Sequence, residues 1–319
     1  MIRLKKLRTQ RKKGFFDGGV VRAFIGLMCL GVICTLLSGC ALNEFEPVET
    51  AGQQNEEPLY SFADGESAHS LRVIFLDVGQ GASQLLISPS GKTMLIDAGN
   101  NSEEQNMLDY LREYGVTRLD IVIGSHPDAD HIGGLDRVIE NVDVGQIYMP
   151  KVSSNTKTFE SLLRAIRAKG LKVKTAKVGL ALDWDEQVRV DMIAPVTMTD
   201  DNNNMSAVVK VSYGDTSFLL TADAERESEQ AMIDSGADLR ADVLLVGHHG
   251  SKSSTSQRFL DRVRPEYAVI QVGDNSYGHP TKTVLDRLAK QRIRVYRNDL
   301  QGTVEIDSDG RELQILTER

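Results

Sequence analysis

The segment Ser125-His126-Pro127-Asp128-Ala129-Asp130-His131-Ile132-Gly133-Gly134 limits what this chain can fold into more than any other stretch. It puts four potential metal ligands, His126, Asp128, Asp130 and His131, within six residues, just after an apolar run at 119–123 that reads as a strand. Divalent metals take imidazole nitrogen and carboxylate oxygen readily. Alternate residues His126, Asp128 and Asp130 can point the same way from an extended loop, while His131 begins the turn towards a helix. One strand end can thus feed two neighbouring ions. The remaining ligands must arrive from elsewhere in the chain.

Candidates for that role stand in similar settings. Five of the six histidines, His126, His131, His248, His249 and His279, fall in Gly-, Asp- or Ser-rich stretches after predicted strands, where sites are usually built. His69 lies in an acidic stretch and carries no such signal. His248 and His249 follow the apolar run 243–246; either can be a further ligand, a proton donor to a leaving group, or a buried structural residue. Asp223 ends a predicted strand and can hold a metal or cap the helix after it. Asp97 can orient a ligating histidine by accepting its other N–H, or form the turn before Gly99; Asp77 is ambiguous in the same way.

The pattern predicts strands at 71–76, 84–88, 93–96, 119–123, 146–149, 171–176, 187–193, 206–212, 216–221, 242–246, 267–272, 293–296 and 302–306. Helices are predicted at 103–115, 135–141, 158–169, 224–234, 256–263 and 281–290. Strands open each half and helices lie between the later ones. That order fits an α/β sandwich of four layers, helices outside two packed sheets. With 41% hydrophobic residues the chain can fill such a core.

The N-terminus belongs to a different system. Seven basic residues within 1–13 precede an apolar run at 20–37 that ends in Leu37-Ser38-Gly39-Cys40. A basic segment, an apolar segment and small residues at the exit read as an export signal. The tetrad resembles the bacterial lipoprotein lipobox, which implies lipidation of Cys40 and cleavage before it. The alternative is an uncleaved transmembrane anchor. Both put the remainder outside the cytoplasm, because the basic flank stays inside. The three cysteines are Cys29, Cys34 and Cys40, so cleavage leaves no pair for a disulfide. Residues 1–39 hold eight Lys/Arg and one acid, and their removal takes the net charge from −8 to −15. So acidic a protein is not built for tight, non-specific capture of nucleic acid. Residues 41–70 carry seven acids and no base, and read as a solvated tether. The expected division is a signal peptide at 1–39, a lipidated Cys40 with tether at 40–70, and one folded domain at 71–319.

The histidine-rich segment resembles the H-x-H-x-D-H signature of the metallo-β-lactamase superfamily, with Asp128 in place of the second histidine. That variant is similar to the ComEC-type competence hydrolase domain. Phe75-Leu76-Asp77-Val78-Gly79-Gln80-Gly81, Leu95-Ile96-Asp97-Ala98-Gly99, Asn202-Asn203-Asn204, Leu219-Leu220-Thr221-Ala222-Asp223-Ala224-Glu225, Val246-Gly247-His248-His249-Gly250-Ser251 and Tyr277-Gly278-His279-Pro280 follow in that family's order. The resemblance spans roughly 71–310. It implies a metallo-β-lactamase-like αββα sandwich and two divalent ions, Zn or Mn. One ion would take His126, Asp128 and Asp223, the other Asp130, His131, Asp223 and His279, with Asp223 bridging. His248, His249 and Asp130 are the catalytic candidates. Asn204, Ser251 and Lys252 are substrate-binding candidates, although Lys252 can equally be an ordinary surface lysine. Two departures stand out: the third motif supplies asparagines where the superfamily has a histidine, and Ala82 replaces the usual aspartate.

Two ions roughly 3.5–4 Å apart would share a bridging hydroxide as the attacking group. Carboxylate-rich ligands make a hard site that suits Mn²⁺ and phosphoryl oxygens. The leading expectation is a membrane-anchored extracytoplasmic phosphodiesterase or DNase, acting on nucleic acid or another phosphodiester, with no protein partner expected. The alternatives are hydrolysis of another ester (a lactone, a thioester, or a phospholipid or teichoic-acid head group) and a non-catalytic ligand-binding lipoprotein.

Overall fold

Alternation along the strands decides the layers. In the computed structural model, which describes residues 70–319, β1 (Leu71–Phe75) turns Leu71, Val73 and Phe75 to one side and Ile74 to the other. The strands that follow in the first half are β2 (Gln84–Ile87), β3 (Thr93–Ile96), β4 (Arg118–Ile123), β5 (Asp143–Met149) and β6 (Val173–Thr175), with helices α1 (Glu104–Glu113), α2 (Ala129–Ile132), α3 (Leu135–Asn141) and α4 (Lys157–Ala168) among them. The second half adds β7 (Ala181–Leu182), β8 (Val188–Ala194), β9 (Val208–Tyr213), β10 (Thr216–Leu220), α5 (Arg226–Asp234), β11 (Val243–Leu245), α6 (Gln257–Val263), β12 (Tyr267–Ile270), α7 (Lys282–Lys290), β13 (Arg294–Arg297), α8 (Asn298–Gln301), β14 (Val304–Ser308) and β15 (Leu313–Thr317).

These strands form two sheets. The eight-stranded one runs β15-β14-β1-β2-β3-β4-β5-β6, the seven-stranded one β13-β12-β11-β10-β9-β8-β7. Each is antiparallel on one side and parallel on the other: β3 to β6 are parallel in the first, β10 to β13 in the second. Odd-numbered side chains of β1, together with Ile121, Ile123, Val243, Leu245 and Val269, fill the core between the sheets. Ile74 and Val122 pack outward under α1, α3 and α4, while Leu219, Leu244 and Ala268 pack outward under α5, α6 and α7. Helix, sheet, sheet, helix is the four-layered αββα sandwich expected from the element order.

α4 shows why its residues are helical: Thr156 caps its start by accepting from the Phe159 N–H, and Phe159, Leu162, Ala165 and Ile166 recur at helical spacing on the buried side. β14 and β15 close the first sheet with the chain's last strands, so residues near 71 and near 308 pair directly, as at Leu71 and Ser308. The expected signal peptide, Cys40, tether and His69 lie outside the described residues. Among the described residues no helix is long and apolar enough to cross a membrane.

Candidate metal centre

Five parallel strand ends deliver the chemistry. Ile96 of β3 pairs with Ile123 of β4 in the first sheet, and Leu220, Leu245 and Val269 of β10, β11 and β12 are in register in the second. The residues just beyond these ends are Asp97, the 124–131 loop, Asp223, His248 with His249, and Gln271. Among the described residues, four of the seven non-glycine residues with positive φ, Asp97, Ala222, His248 and His249, fall here. Backbone strain is concentrated where side chains must be aimed.

The 124–131 loop is more compact than alternation suggested. Asp128 is on extended backbone, but α2 begins at Ala129 and places Asp130 and His131 on a single helical turn. The Gly81-Ala82 segment backs this turn: a Cβ on Gly81 would strike the Asp130 carbonyl oxygen, and Ala82 N–H donates to that same oxygen at 3.0 Å. The F-L-D-V-G-Q-G stretch therefore braces the metal loop through its backbone.

Four imidazoles, those of His126, His131, His248 and His249, are fixed through Nδ1. His131 Nδ1 is 2.8 Å from Asp97 Oδ2, which also accepts from Ser125 Oγ at 2.6 Å. With its own proton given to Asp97, Ser125 Oγ accepts from His126 Nδ1 at 3.0 Å. His249 Nδ1 donates to the Gln271 carbonyl at 2.7 Å, and His248 Nδ1 to Glu225 Oε1 at 3.0 Å. A protonated Nδ1 leaves a lone pair on Nε2 of the neutral ring.

All four Nε2 atoms face one buried carboxylate. Asp223 Oδ1 lies 3.1 Å from His131 and 3.7 Å from His249; Oδ2 lies 3.5 Å from His248 and 3.9 Å from His126. Asp130 adds an oxygen 3.3 Å from His249 Nε2, and Asp128 one 3.8 Å from His126 Nε2. His126, His131 and Asp223 form one group able to hold a cation, and Asp130, His131 and His249 another. The fit to a metal rests on His126 Nε2, a buried nitrogen with no hydrogen-bond partner among the described residues. A lone pair of that kind, beside two carboxylates, suits a divalent cation.

The charges are strongly coupled to one another. Burial opposes a proton on His131, yet Asp223 and Asp97 outweigh it and hold that imidazole well above its ordinary range. Burial would raise Asp223, but His131 and His249 hold it well below the carboxylate range. Asp130 is likewise pushed up by burial and pulled back by the His249 hydrogen bond and by His131, to about 2. Burial and the neighbouring His131 keep His126 below the usual imidazole value.

Sequence-predicted residues are placed as follows. His126, Asp128, Asp130, His131 and Asp223 are brought together. His249, rather than His279, completes the group with Asp130 and His131. His279 stands behind His248, ring centroids 5.6 Å apart, and its Nδ1 is buried without a partner. His248 and His249 both take left-handed backbone and both turn Nε2 towards Asp223. Asp97 orients His131 as expected of it. Asp77 does not act on a ligand: its carboxylate accepts from Gly79 N–H and Arg319, tying the opening motif to the C-terminus. Asn204 is turned away too, accepting from Ser228 N–H at the start of α5, while Asn202 reaches the site and donates to Asp128 at 3.1 Å. Ser251 Oγ bonds Ser253 Oγ, and Lys252 is exposed with only its carbonyl engaged, by Arg226. Ser125, Glu225 and Gln271 carry roles that no sequence signal assigned. A buried polar residue closing the apolar β12 was the one available hint for Gln271.

Comparisons with known proteins identify the family and the fold. The profile described as "Metallo-beta-lactamase superfamily" matches residues 77–274. "ComE operon protein 3" of Bacillus subtilis is 32% identical over 252 residues, 73% of this chain and 32% of that protein. "Recombination protein 2" of Haemophilus influenzae is 31% identical over 76% of this chain and 30% of its own length. "Competence protein ComA" of Neisseria gonorrhoeae is 29% identical over 87% of this chain and 37% of its own. The chain thus spans about a third of the length of these relatives. Among solved structures, CmlA of Streptomyces venezuelae, a diiron β-hydroxylase, shares the fold at a TM-score of 0.50 and 13% identity, covering 77% of this chain and 54% of that one.

Proposed function

The chain belongs to the metallo-β-lactamase superfamily, among its ComEC-type members, and on that premise we propose that this hydrolase cleaves phosphodiesters, single-stranded DNA foremost, from the outer side of a membrane to which a lipid on Cys40 anchors it. One observation carries the reading: a single buried carboxylate, Asp223, is faced on both oxygens by imidazole Nε2 atoms and flanked by Asp128 and Asp130. Oxygen-rich donor sets favour hard cations, and hard cations favour phosphoryl oxygens. His126, Asp128 and Asp223 would hold one divalent ion, and Asp130, His131, His249 and Asp223 a second. Zn²⁺ or Mn²⁺ so held would supply Lewis acidity towards the scissile group and acidify water at the site.

The chain's own groups do the rest. Asp130, 29% exposed, stands beside His249 where solvent can reach it, and its carboxylate can accept a hydrogen bond from an incoming water and orient it. Asn202 fixes the Asp128 carboxylate by donating to Oδ1. Asp97 and the Gln271 carbonyl hold His131 and His249 by their Nδ1 protons, so neither ring can turn as charge develops.

The test is cleavage of single-stranded DNA by the purified full chain with Mn²⁺ or Zn²⁺, run beside an acyl-homoserine lactone. Expected is DNA cleavage that is abolished by chelator and lowered at least about 100-fold in Asp130→Asn. Lactone turnover without DNA cleavage overturns the phosphodiester reading. Recovery of Cys40→Ser in the membrane fraction as fully as wild type overturns the lipid anchor.

A further inference from the structure

We infer that His248, held by Glu225, is the ligand that completes the first metal position, in place of the histidine that the third motif does not supply. The inference rests on the proposal that this cluster binds divalent cations, and it adds a residue pair to that set.

Three comparisons within the molecule support it. His126, His131 and His249 share one arrangement: Nδ1 gives its proton to a fixed acceptor and Nε2 points at Asp223. His248 has the same arrangement, with Glu225 Oε1 at 3.0 Å from Nδ1 and Asp223 Oδ2 at 3.5 Å from Nε2. Carboxylate–histidine pairs of this kind fix the tautomer and raise the basicity of ligating imidazoles. Glu225 is itself anchored, because Ser253 Oγ donates to the same Oε1 at 2.7 Å.

The two oxygens of Asp223 divide the ligands unevenly unless His248 is counted. On the Oδ1 side stand His131, His249 and, through His249, Asp130. On the Oδ2 side stand His126 with Asp128, and the next group facing that oxygen is His248. The asparagines of the third motif do not fill the gap. Asn202 binds Asp128, and Asn204 caps α5.

The backbone agrees. His248 adopts φ 50 and ψ 49, and its N–H donates to the Ala222 carbonyl at 3.0 Å, locking it beside the Asp223 turn. A proton donor to a leaving group would aim its nitrogen at the substrate side, whereas this Nε2 is aimed at Asp223. His279, the ligand expected from sequence, has no carboxylate within 4 Å of its ring nitrogens among the described residues and no partner on Nδ1.

The experiment is a metal count on the full chain, loaded with Co²⁺, desalted and measured by elemental analysis and by visible absorption. Wild type should retain about two ions per chain, and His248→Ala about one. Glu225→Gln, which keeps the shape, should keep both sites but release one ion about 10- to 100-fold more readily on dialysis. His279→Ala should retain about two. Two ions in His248→Ala with wild-type release from Glu225→Gln overturns the inference, as does loss of an ion from His279→Ala alone. Should His248→Ala fail to fold, Glu225→Gln decides by itself. A folded wild type that retains no Co²⁺ removes the metal reading and this inference together, so the two failures are distinguishable.

Discussion

Asp97 is the residue on which most of the centre's geometry turns. It is fully buried and accepts three hydrogen bonds, from Ser125 N–H at 2.8 Å, Ser125 Oγ and His131 Nδ1. Asp97→Asn keeps the volume but presents one oxygen where two are used, and puts an N–H against a donor. Metal affinity should fall about 10- to 100-fold with the fold intact, read by competition with a chromogenic chelator. Unchanged affinity would make Asp97 a turn residue only. At this scale the sequence exposed donors better than supports. His126 to His131 and Asp223 were legible because metal-binding residue types clustered at strand ends. His249 over His279 was not legible, since both follow predicted strands and local sequence does not show which one meets Asp130 and His131. Nor was Asn202 over Asn204, because three adjacent asparagines carry no signal of which one turns inward.

At the scale of elements, the end of β12 is joined to β1 and β2 by one side chain. Gln271 donates from Nε2 to the carbonyls of Leu76 and Ser83, accepts at Oε1 from Ser83 N–H and from the Gln84 side chain, and is 1% exposed. Its valences are filled by the other sheet while its own carbonyl holds His249. Gln271→Leu strands those partners in the interior and should cost roughly 2–4 kcal/mol of unfolding free energy in urea. A loss below about 1 kcal/mol would mean water replaces the amide. The elements themselves were mostly legible from period and from turn residues. β15, β7, α2 and α8 were missed: the first is a half-exposed edge strand, and the other three are too short for periodicity to register.

At the scale of the whole molecule, the closing strands carry a pH dependence. Burial pushes Asp307 on β14 up to about 7, Glu305 adds to it and Arg72 opposes it; one Asp307 oxygen has no hydrogen-bond partner. An unfolded aspartate ionises near pH 4, so between about 4 and 7 the folded chain keeps a proton that the unfolded chain has released. This group therefore costs stability progressively as pH rises through that window, and the full cost applies above it. Asp307→Asn should be more stable than wild type at pH 8, on the order of 2 kcal/mol, with the gain vanishing at pH 4. Equal urea midpoints at pH 8 would sink this. The two-sheet architecture was legible because strands and helices alternate in the right order. The closure by residues 313–317 was not, since it pairs the chain's last strand with an edge that local sequence cannot identify. The placement of the candidate ligands has one further consequence. His126 to His131 are rooted in the first sheet, and Asp223, His248 and His249 in the second, so any ion seated between them would rivet two slabs that otherwise adhere by an apolar core and a few polar ties such as Gln271. Loading and shedding the ion should then change how far the slabs breathe apart, and deuterium uptake along the inner strands would register that even where no substrate is ever turned over.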